Sequence, residues 1–325
     1  AVAAAVATIP EGLPIVVTIA MAVGVARMAK LNAIVRKLPA VETLGSTTVI
    51  GSDKTGTLTK NEMTVKLIND GTHTYEVTGS GYLPEGEVLH EGMSLEVKDR
   101  KQLIHVLRIG LLCNESNVYE EEGQYKVDGD PTEGALIVSA IKAGLETEAE
   151  KEKYQQIAIV PFESDRGYMA TLHKHQGKKL IFVKGAPERI IDMCVESVDE
   201  TELRKKDILH VATDFAKEGL RVLAFAYKEA PHDMEELTHQ DAESGLVFAG
   251  LQGMIDPPRS EAIEAIEGCK RAGIRVVMIT GDHAVTASAI ARKLGIDGKE
   301  KILAGKEIED MDDSELFEMV QSVSV

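Results

Sequence analysis

The sequence predicts an α/β protein: a Rossmann-like domain, split by a large inserted α+β domain and preceded by a broken transmembrane helix. Three observations carry this reading. Residues 1–26 hold one charge, Glu11, and a run so long and apolar reads as a membrane span. Two short apolar runs, ending at Asp53 and at Thr280-Gly281-Asp282, read as strands that deliver acids at their C-terminal ends, where ligands bind in parallel sheets. Between them, residues 70–250 change style, with recurring glycine turns and alternating apolar stretches.

The bulk properties narrow the function classes. The chain has 325 residues and is 44% hydrophobic, enough for about two domains with real cores. A net charge of −17 argues against a nucleic-acid surface, which needs basic density. Cys113, Cys194 and Cys269 are far apart with no C-x-x-C, so neither a disulfide framework nor a zinc site is suggested, and a reducing cytosolic setting fits.

Taken in order, the span contains Pro10-Glu11-Gly12-Leu13-Pro14, where two prolines and a glycine interrupt the helical ladder. Residues 18–31 read as helix again. Arg27, Lys30, Arg36 and Lys37 follow and mark that end as cytoplasmic. A signal peptide would start with basic residues, and a buried core helix is usually shorter. The chain begins without methionine and is expected to be a fragment. Residues 47–50 (Thr-Thr-Val-Ile) are expected to form a buried strand leading to Asp53. Helical patterns appear near 100–113, 132–143 and 202–217, and strands at residues 180–183 and 221–227. After Asp256-Pro257-Pro258-Arg259, a helix starts with Ser260 as its expected cap and ends at Gly273. A strand at 275–279 and a helix at about 284–294 complete a β-α-β-α pattern.

The string Asp53-Lys54-Thr55-Gly56-Thr57-Leu58-Thr59 carries the chemistry. Gly56 allows close backbone approach, and the hydroxyls and N–H groups around it suit a phosphoryl group. An ionised Asp53 can attack phosphorus and form an aspartyl-phosphate, and Mg²⁺ is needed to bridge the two anions. Thr280 could hydrogen-bond the phosphoryl oxygens. A lone D-x-T is more often a capped turn; two strand-end sites in one sheet favour function. No G-x-x-x-x-G-K-[ST] phosphate loop competes.

That string resembles the phosphorylation motif of the P-type ATPases, of the calcium-pump-like type, within the haloacid-dehalogenase-like superfamily. The resemblance runs in order through the Pro-Glu-Gly-Leu-Pro span, Asp53 to Thr59, Lys184-Gly185-Ala186-Pro187-Glu188, Asp256-Pro257-Pro258-Arg259 and Thr280-Gly281-Asp282. It implies a haloacid-dehalogenase-type phosphorylation domain (33–69 and 252–325), a nucleotide-binding domain (70–251) and a membrane helix (1–32). Asp53 would be phosphorylated, with Lys54, Thr55, Thr280, Gly281 and Asp282 completing the catalytic set and the Thr55 carbonyl holding Mg²⁺ with Asp53. Phe162 would stack on adenine, with Lys184, Gly185 and Glu133 lining the pocket and Arg166 and Arg221 near the phosphates. Thr57, Asp256 and Arg259 extend the nucleotide set. Without the resemblance, Phe162 reads as core and both arginines as solvated charges. Many calcium pumps carry lysine where Gly167 stands, so one phosphate contact is expected to be missing or replaced.

Related phosphatases place a second aspartate where this chain has Thr55. Its absence leaves water unactivated, so the acyl phosphate can persist. A carboxylate inside a membrane is costly and usually functional. By resemblance, Glu11 and the carbonyls of Val6, Ala7 and Ile9 would hold the transported cation, Ca²⁺ before Mn²⁺, Na⁺, K⁺, H⁺ or Mg²⁺. The expected partners are ATP, membrane lipid, further transmembrane helices and an actuator domain, with the large domains cytoplasmic. The family's later lysine and G-D-G-x-N-D segment do not occur before Val325, so these residues alone are expected to bind ATP but turn over poorly. A soluble haloacid-dehalogenase-type phosphatase would show D-x-D and no span; a non-catalytic nucleotide-binding module would tolerate Asp53→Asn.

Overall fold

A computed structural model describes residues 12–197, 203–281, 284–296, 302–309 and 311–325. The expected ligands Val6, Ala7, Ile9 and Glu11 and the expected catalytic Asp282 lie outside the described residues. Leu13–Lys30 forms a helix (α1) of mean hydropathy 1.6, none of it buried. By length and composition it can cross a membrane. It starts earlier than the expected residue 18, because Pro14 sits in the first turn, where its missing N–H has no helical partner to lose.

Strands follow in the order β1 (Val49–Asp53), β2 (Thr64–Asn69), β3 (Thr74–Val77), β4 (Val88–His90), β5 (Met93–Ser94), β6 (Asn117–Glu121) and β7 (Gln124–Asp128). Then come β8 (Gln155–Glu163), β9 (Tyr168–His175), β10 (Lys178–Gly185), β11 (Cys194–Ser197), β12 (Arg221–Ala230), β13 (Leu246–Ile255) and β14 (Arg275–Ile279). A ten-stranded sheet runs β5-β4-β3-β2-β13-β12-β10-β9-β8, with β11 also paired to β13. All its pairs are antiparallel except β11 with β13. The sheet already includes Thr64–Asn69, which pair with β13.

The period of two puts alternate residues of these strands on opposite faces. Met169, Phe182, Phe225 and Met254 face Leu103, Val106, Leu107 and Leu136, which come from helices α2 (Lys101–Leu112) and α3 (Pro131–Lys142). Tyr168, Ile181, Val183 and Ala226 face Ile190, Ile191, Ile208 and Phe215 of α4 (Pro187–Met193) and α5 (Lys205–Lys217). Each fully buried Phe, Leu or Ile side chain contributes about 1.5–3 kcal/mol, so the sheet is held from both sides. That rigidity positions the loops at its ends.

β1 and β14 pair in parallel, with Asp53 opposite Ile279. Val276 and Met278 of β14 are buried, in one core with Ile266 of α6 (Ser260–Arg271), Ile290 of α7 (Ala284–Lys293) and Leu294 just after it. Two expectations need correction. β1 is not buried: Val49 and Ile50 are 45% and 37% exposed, because among the described residues β14 is its one strand partner. Ser260 is not the cap of α6 but its first residue; Arg259 occupies the cap position without a side-chain cap bond, and Ser260 Oγ instead donates to Glu261 Oε2 (3.2 Å).

Candidate active site

Asp53 ends β1 and is exposed. Its carboxylate makes no hydrogen bond or ion pair to the described residues. The chain then turns sharply. Thr55 (φ −74°, ψ 123°) and Gly56 (φ 72°, ψ −10°) have type II geometry, which demands a positive φ at its second central residue and so selects glycine. Thr59 N closes the loop on Lys54 O (3.1 Å). Thr55 and Thr57 are exposed on this turn and Lys54 is buried.

The Asp256-Pro257-Pro258-Arg259 segment straps this loop from beneath. Thr59 Oγ1 donates to Asp256 Oδ2 (2.5 Å) and Glu62 N to Asp256 Oδ1 (3.3 Å). Arg259 Nε donates to Thr59 O (2.9 Å) and Nη2 to Gly56 O (3.3 Å). Backbone bonds run from Lys60 N to Pro257 O and from Arg259 N to Leu58 O. Thus Asp256 and Arg259, expected in the nucleotide set, spend these hydrogen bonds on shaping the loop after Asp53. Thr280 and Gly281 follow Ile279 at the end of β14, on the edge where β1 ends in Asp53.

A cavity of about 320 Å³ opens at the end of the large sheet, and Glu133, Phe162, Lys184, Gly185 and Arg221 all line it. Lys184 lies in the buried run at the end of β10, and its Nζ lies 2.6 Å from Glu133 Oε1, the two side chains being 7% and 13% exposed. Glu133 Oε2 accepts from Glu115 N (3.0 Å) and Ser116 Oγ (2.9 Å). Glu133 is held in the first turn of α3, where Asp130 caps Thr132 N and Glu133 N and Pro131 takes the first position, a helix-start signature. Behind Lys184, burial pushes the Cys113 thiol up, and its Sγ donates to the Met169 and Phe182 carbonyls.

Gly185 is required by packing. A Cβ there would lie 2.3 Å from Gly167 O and 2.8 Å from Tyr168 Cα. Phe162 is presented by a bulge: Val160 pairs with Ala170 and Glu163 with Tyr168, so Pro161 and Phe162 together face one residue of β9. Pro161 is tolerated because β8 is an edge strand, and the bulge re-aims the side chain. Phe162 is left 53% exposed, an aromatic face open to stacking. Arg221 lines this cavity and also a second one, of about 300 Å³, beside Lys54, Asp256 and Thr286.

Arg166 does not line the cavity. Its Nε meets Glu163 Oε2 (3.1 Å) and its Nη1 meets Glu243 Oε1 (3.0 Å). Reasoning from sequence missed Glu115, Ser116, Thr132 and Leu223 in the cavity wall. Of these only Thr132, beside the Asp130-Pro131 helix start, carried a signal.

Residues 102–261 match the family described as "P-type ATPase, cytoplasmic domain N". Over its whole length the chain is similar to the cation-transporting ATPase pma1 of Synechocystis sp. (46% identical), covering 37% of that protein. It is likewise similar to a calcium-transporting ATPase of Bacillus subtilis (42% identical, 37% of that protein). A calcium-transporting ATPase of Listeria monocytogenes is 42% identical to the whole chain, which covers 36% of it. The chain thus spans a little over a third of the curated relatives it matches, 35–37% of their length.

Proposed function

From the premise that the chain belongs to the P-type ATPases, we propose that it is the phosphorylation and ATP-binding part of a cation pump, working through an aspartyl-phosphate at Asp53. One observation carries the proposal. A carboxylate free of described partners stands at the end of a parallel strand, on a glycine turn held rigid from below, beside the Thr280-Gly281 strand end. A free carboxylate keeps its lone pairs for in-line attack, whereas one saturated by donors does not.

In this reading adenine stacks on Phe162, and Lys184, held by Glu133, borders the base and ribose. Arg221, which faces both cavities, draws the phosphates toward the Asp53 loop. Asp53 Oδ attacks the γ-phosphorus, the bond from that phosphorus to the β–γ bridging oxygen breaks, and ADP leaves with the electron pair. Asp53 and the Thr55 carbonyl fit a magnesium ion, which is bound through one or two carboxylates together with substrate phosphates; when bound it neutralises the charge developing on the transferred group. Thr55 supplies no carboxylate to activate water, so the acyl phosphate persists long enough for a change of conformation.

β1 and β14 with α6 and α7 form two parts of a split haloacid-dehalogenase-type domain, entered and left through β2 and β13. The exposed apolar face of β1 accords with further strands outside this chain. α1 is a membrane helix with its basic end in the cytoplasm, and Glu11 with the carbonyls of Val6, Ala7 and Ile9 binds the cation. The relatives named as calcium-transporting make Ca²⁺ the favoured ion. The test is to give the full-length protein γ-labelled ATP, Mg²⁺ and single cations. The expected result is an acid-stable, hydroxylamine-labile phosphate, formed best with Ca²⁺ and abolished by Asp53→Asn. Labelling that survives Asp53→Asn would overturn the reading.

A further inference from the structure

The turn that follows Phe162 is tied to a segment far away in sequence. Glu163 O accepts from Arg166 N (3.1 Å) and Gly167 N (2.8 Å), closing the turn. Arg166 then bridges two carboxylates, Glu163 on its own turn and Glu243 after the short helix His239–Ala242. The same oxygen of Glu243 takes Arg189 Nη2 (3.1 Å) and the Tyr168 hydroxyl (3.1 Å). Tyr168 is fully buried in the sheet and pairs with Glu163 across the β8–β9 ladder. Burial first, and the Glu243 carboxylate second, push its hydroxyl up to about 12, so it stays a donor. Glu243 is thus pinned to the sheet, and Arg166 transfers that fixed point to the turn carrying Phe162.

We propose that Arg166 and Glu243 are positioning residues for the stacking face of Phe162, and that Arg166 acts through this turn rather than on the phosphates. The proposal rests on reading the cavity as the ATP pocket. Its basis is that Arg166 Nε and Nη1 each meet a carboxylate and that the residue is absent from the cavity wall. Isolated surface ion pairs are weak because two long side chains must be ordered for one contact. Here three donors converge on one oxygen, and one of them is already immobilised in the core.

A phosphate-binding arginine and a turn-positioning arginine differ in what they discriminate. The first affects ATP more than AMP; the second affects all adenine nucleotides alike. The experiment displaces a fluorescent ATP analogue from the full-length protein with ATP, ADP and AMP, in the absence of Mg²⁺ so that nothing turns over. Arg166→Ala and Glu243→Ala should each weaken all three nucleotides by the same factor, about two- to five-fold. The double variant should be no worse than either single one. In a Phe162→Ala background, Arg166→Ala should have no further effect. Glu243→Gln, which keeps shape and acceptor, serves if the alanine variant fails to fold, and should show the same even loss to a smaller degree.

A loss for Arg166→Ala that grows from AMP to ATP would overturn the proposal, as would no loss at all or an undiminished loss without Phe162. Failure of the wild-type protein to bind any adenine nucleotide would instead sink the ATP reading beneath it.

Discussion

The Glu133–Lys184 pair offers the sharpest quantitative test, because single variants should be strongly destabilised and the double variant hardly at all. Both side chains are nearly buried, at 13% and 7% exposure, with 2.6 Å between charges. Removing one member of such a pair costs about 3–5 kcal/mol, since the survivor is left charged and poorly solvated. The two single losses should differ. Lys184→Met leaves Glu133 with two remaining donors, Glu115 N and Ser116 Oγ, so it belongs at about 3 kcal/mol. Glu133→Met strands the Lys184 ammonium against the apolar strand interior, which belongs nearer about 5 kcal/mol. Replacing both by methionine removes both charges and refills the volume, and should fall within about 1 kcal/mol of wild type. The chain has no tryptophan, so urea unfolding is best followed by far-UV circular dichroism. All three variants should lose ATP affinity, whatever their stability. If the double variant is as unstable as the sum of the singles, the pair is not electrostatically coupled and the reasoning fails.

Four further outcomes follow from the same geometry. Gly185→Ala forces a Cβ to within 2.3 Å of Gly167 O, so it should destabilise by about 1–3 kcal/mol and weaken nucleotide binding, read by melting and displacement. Thr59→Ala removes the hydroxyl on Asp256 Oδ2 and leaves a buried carboxylate short of a donor, at about 1–3 kcal/mol; labelling of Asp53 should drop with it. Thr55→Asp places a carboxylate two residues after the nucleophile and should speed spontaneous loss of the phosphate by up to about 10²–10⁴-fold, measured by a chase after labelling. His173 is 1% exposed, and burial lowers it from 6.5 to about 4. Above pH 6.5 it is neutral in both states; as pH falls from 6.5 toward about 4 only the unfolded chain takes the proton. Stability should therefore fall over that window by up to about 1.4 kcal/mol per pH unit, and His173→Gln should flatten this part of the acid limb.

What the sequence made legible was periodic or locally punctuated. The helices expected near 100–113, 132–143 and 202–217 occur at Lys101–Leu112, Pro131–Lys142 and Lys205–Lys217, because their apolar faces pack on a sheet and keep the 3.6-residue pattern. The parallel β1–β14 pairing was legible as two apolar runs ending in similar loops. The burial of β1 was not, since an apolar run reports the surroundings a strand suits and not which neighbours this chain supplies. Glu133, Phe162, Lys184, Gly185 and Arg221 converge on one cavity, yet only the family resemblance picked out Phe162, whose lone aromatic ring reads as core. Arg166 shows the opposite gap: its charge was visible, but its carboxylate partner Glu243 lies in a distant segment. Ser116 gave no signal, because its place beside Glu133 exists only once the helix N-terminus has folded against it.

The two aspartates around the loop show how partner count sets chemical role. Asp256 is 8% exposed and accepts from Thr59 Oγ1 and Glu62 N, one donor to each oxygen. One donor on each oxygen fixes the carboxylate's orientation. Asp53 has no such partners among the described residues and stands where the strand ends. The hydrogen bonds that orient Asp256 are also among those that hold the backbone after Asp53 in its turn. Asp256 also follows directly from β13, which crosses the large sheet next to β12, the strand that begins at Arg221. Asp256 therefore ties the end of β13 to the loop after Asp53, alongside the covalent run of residues 60–63 into β2.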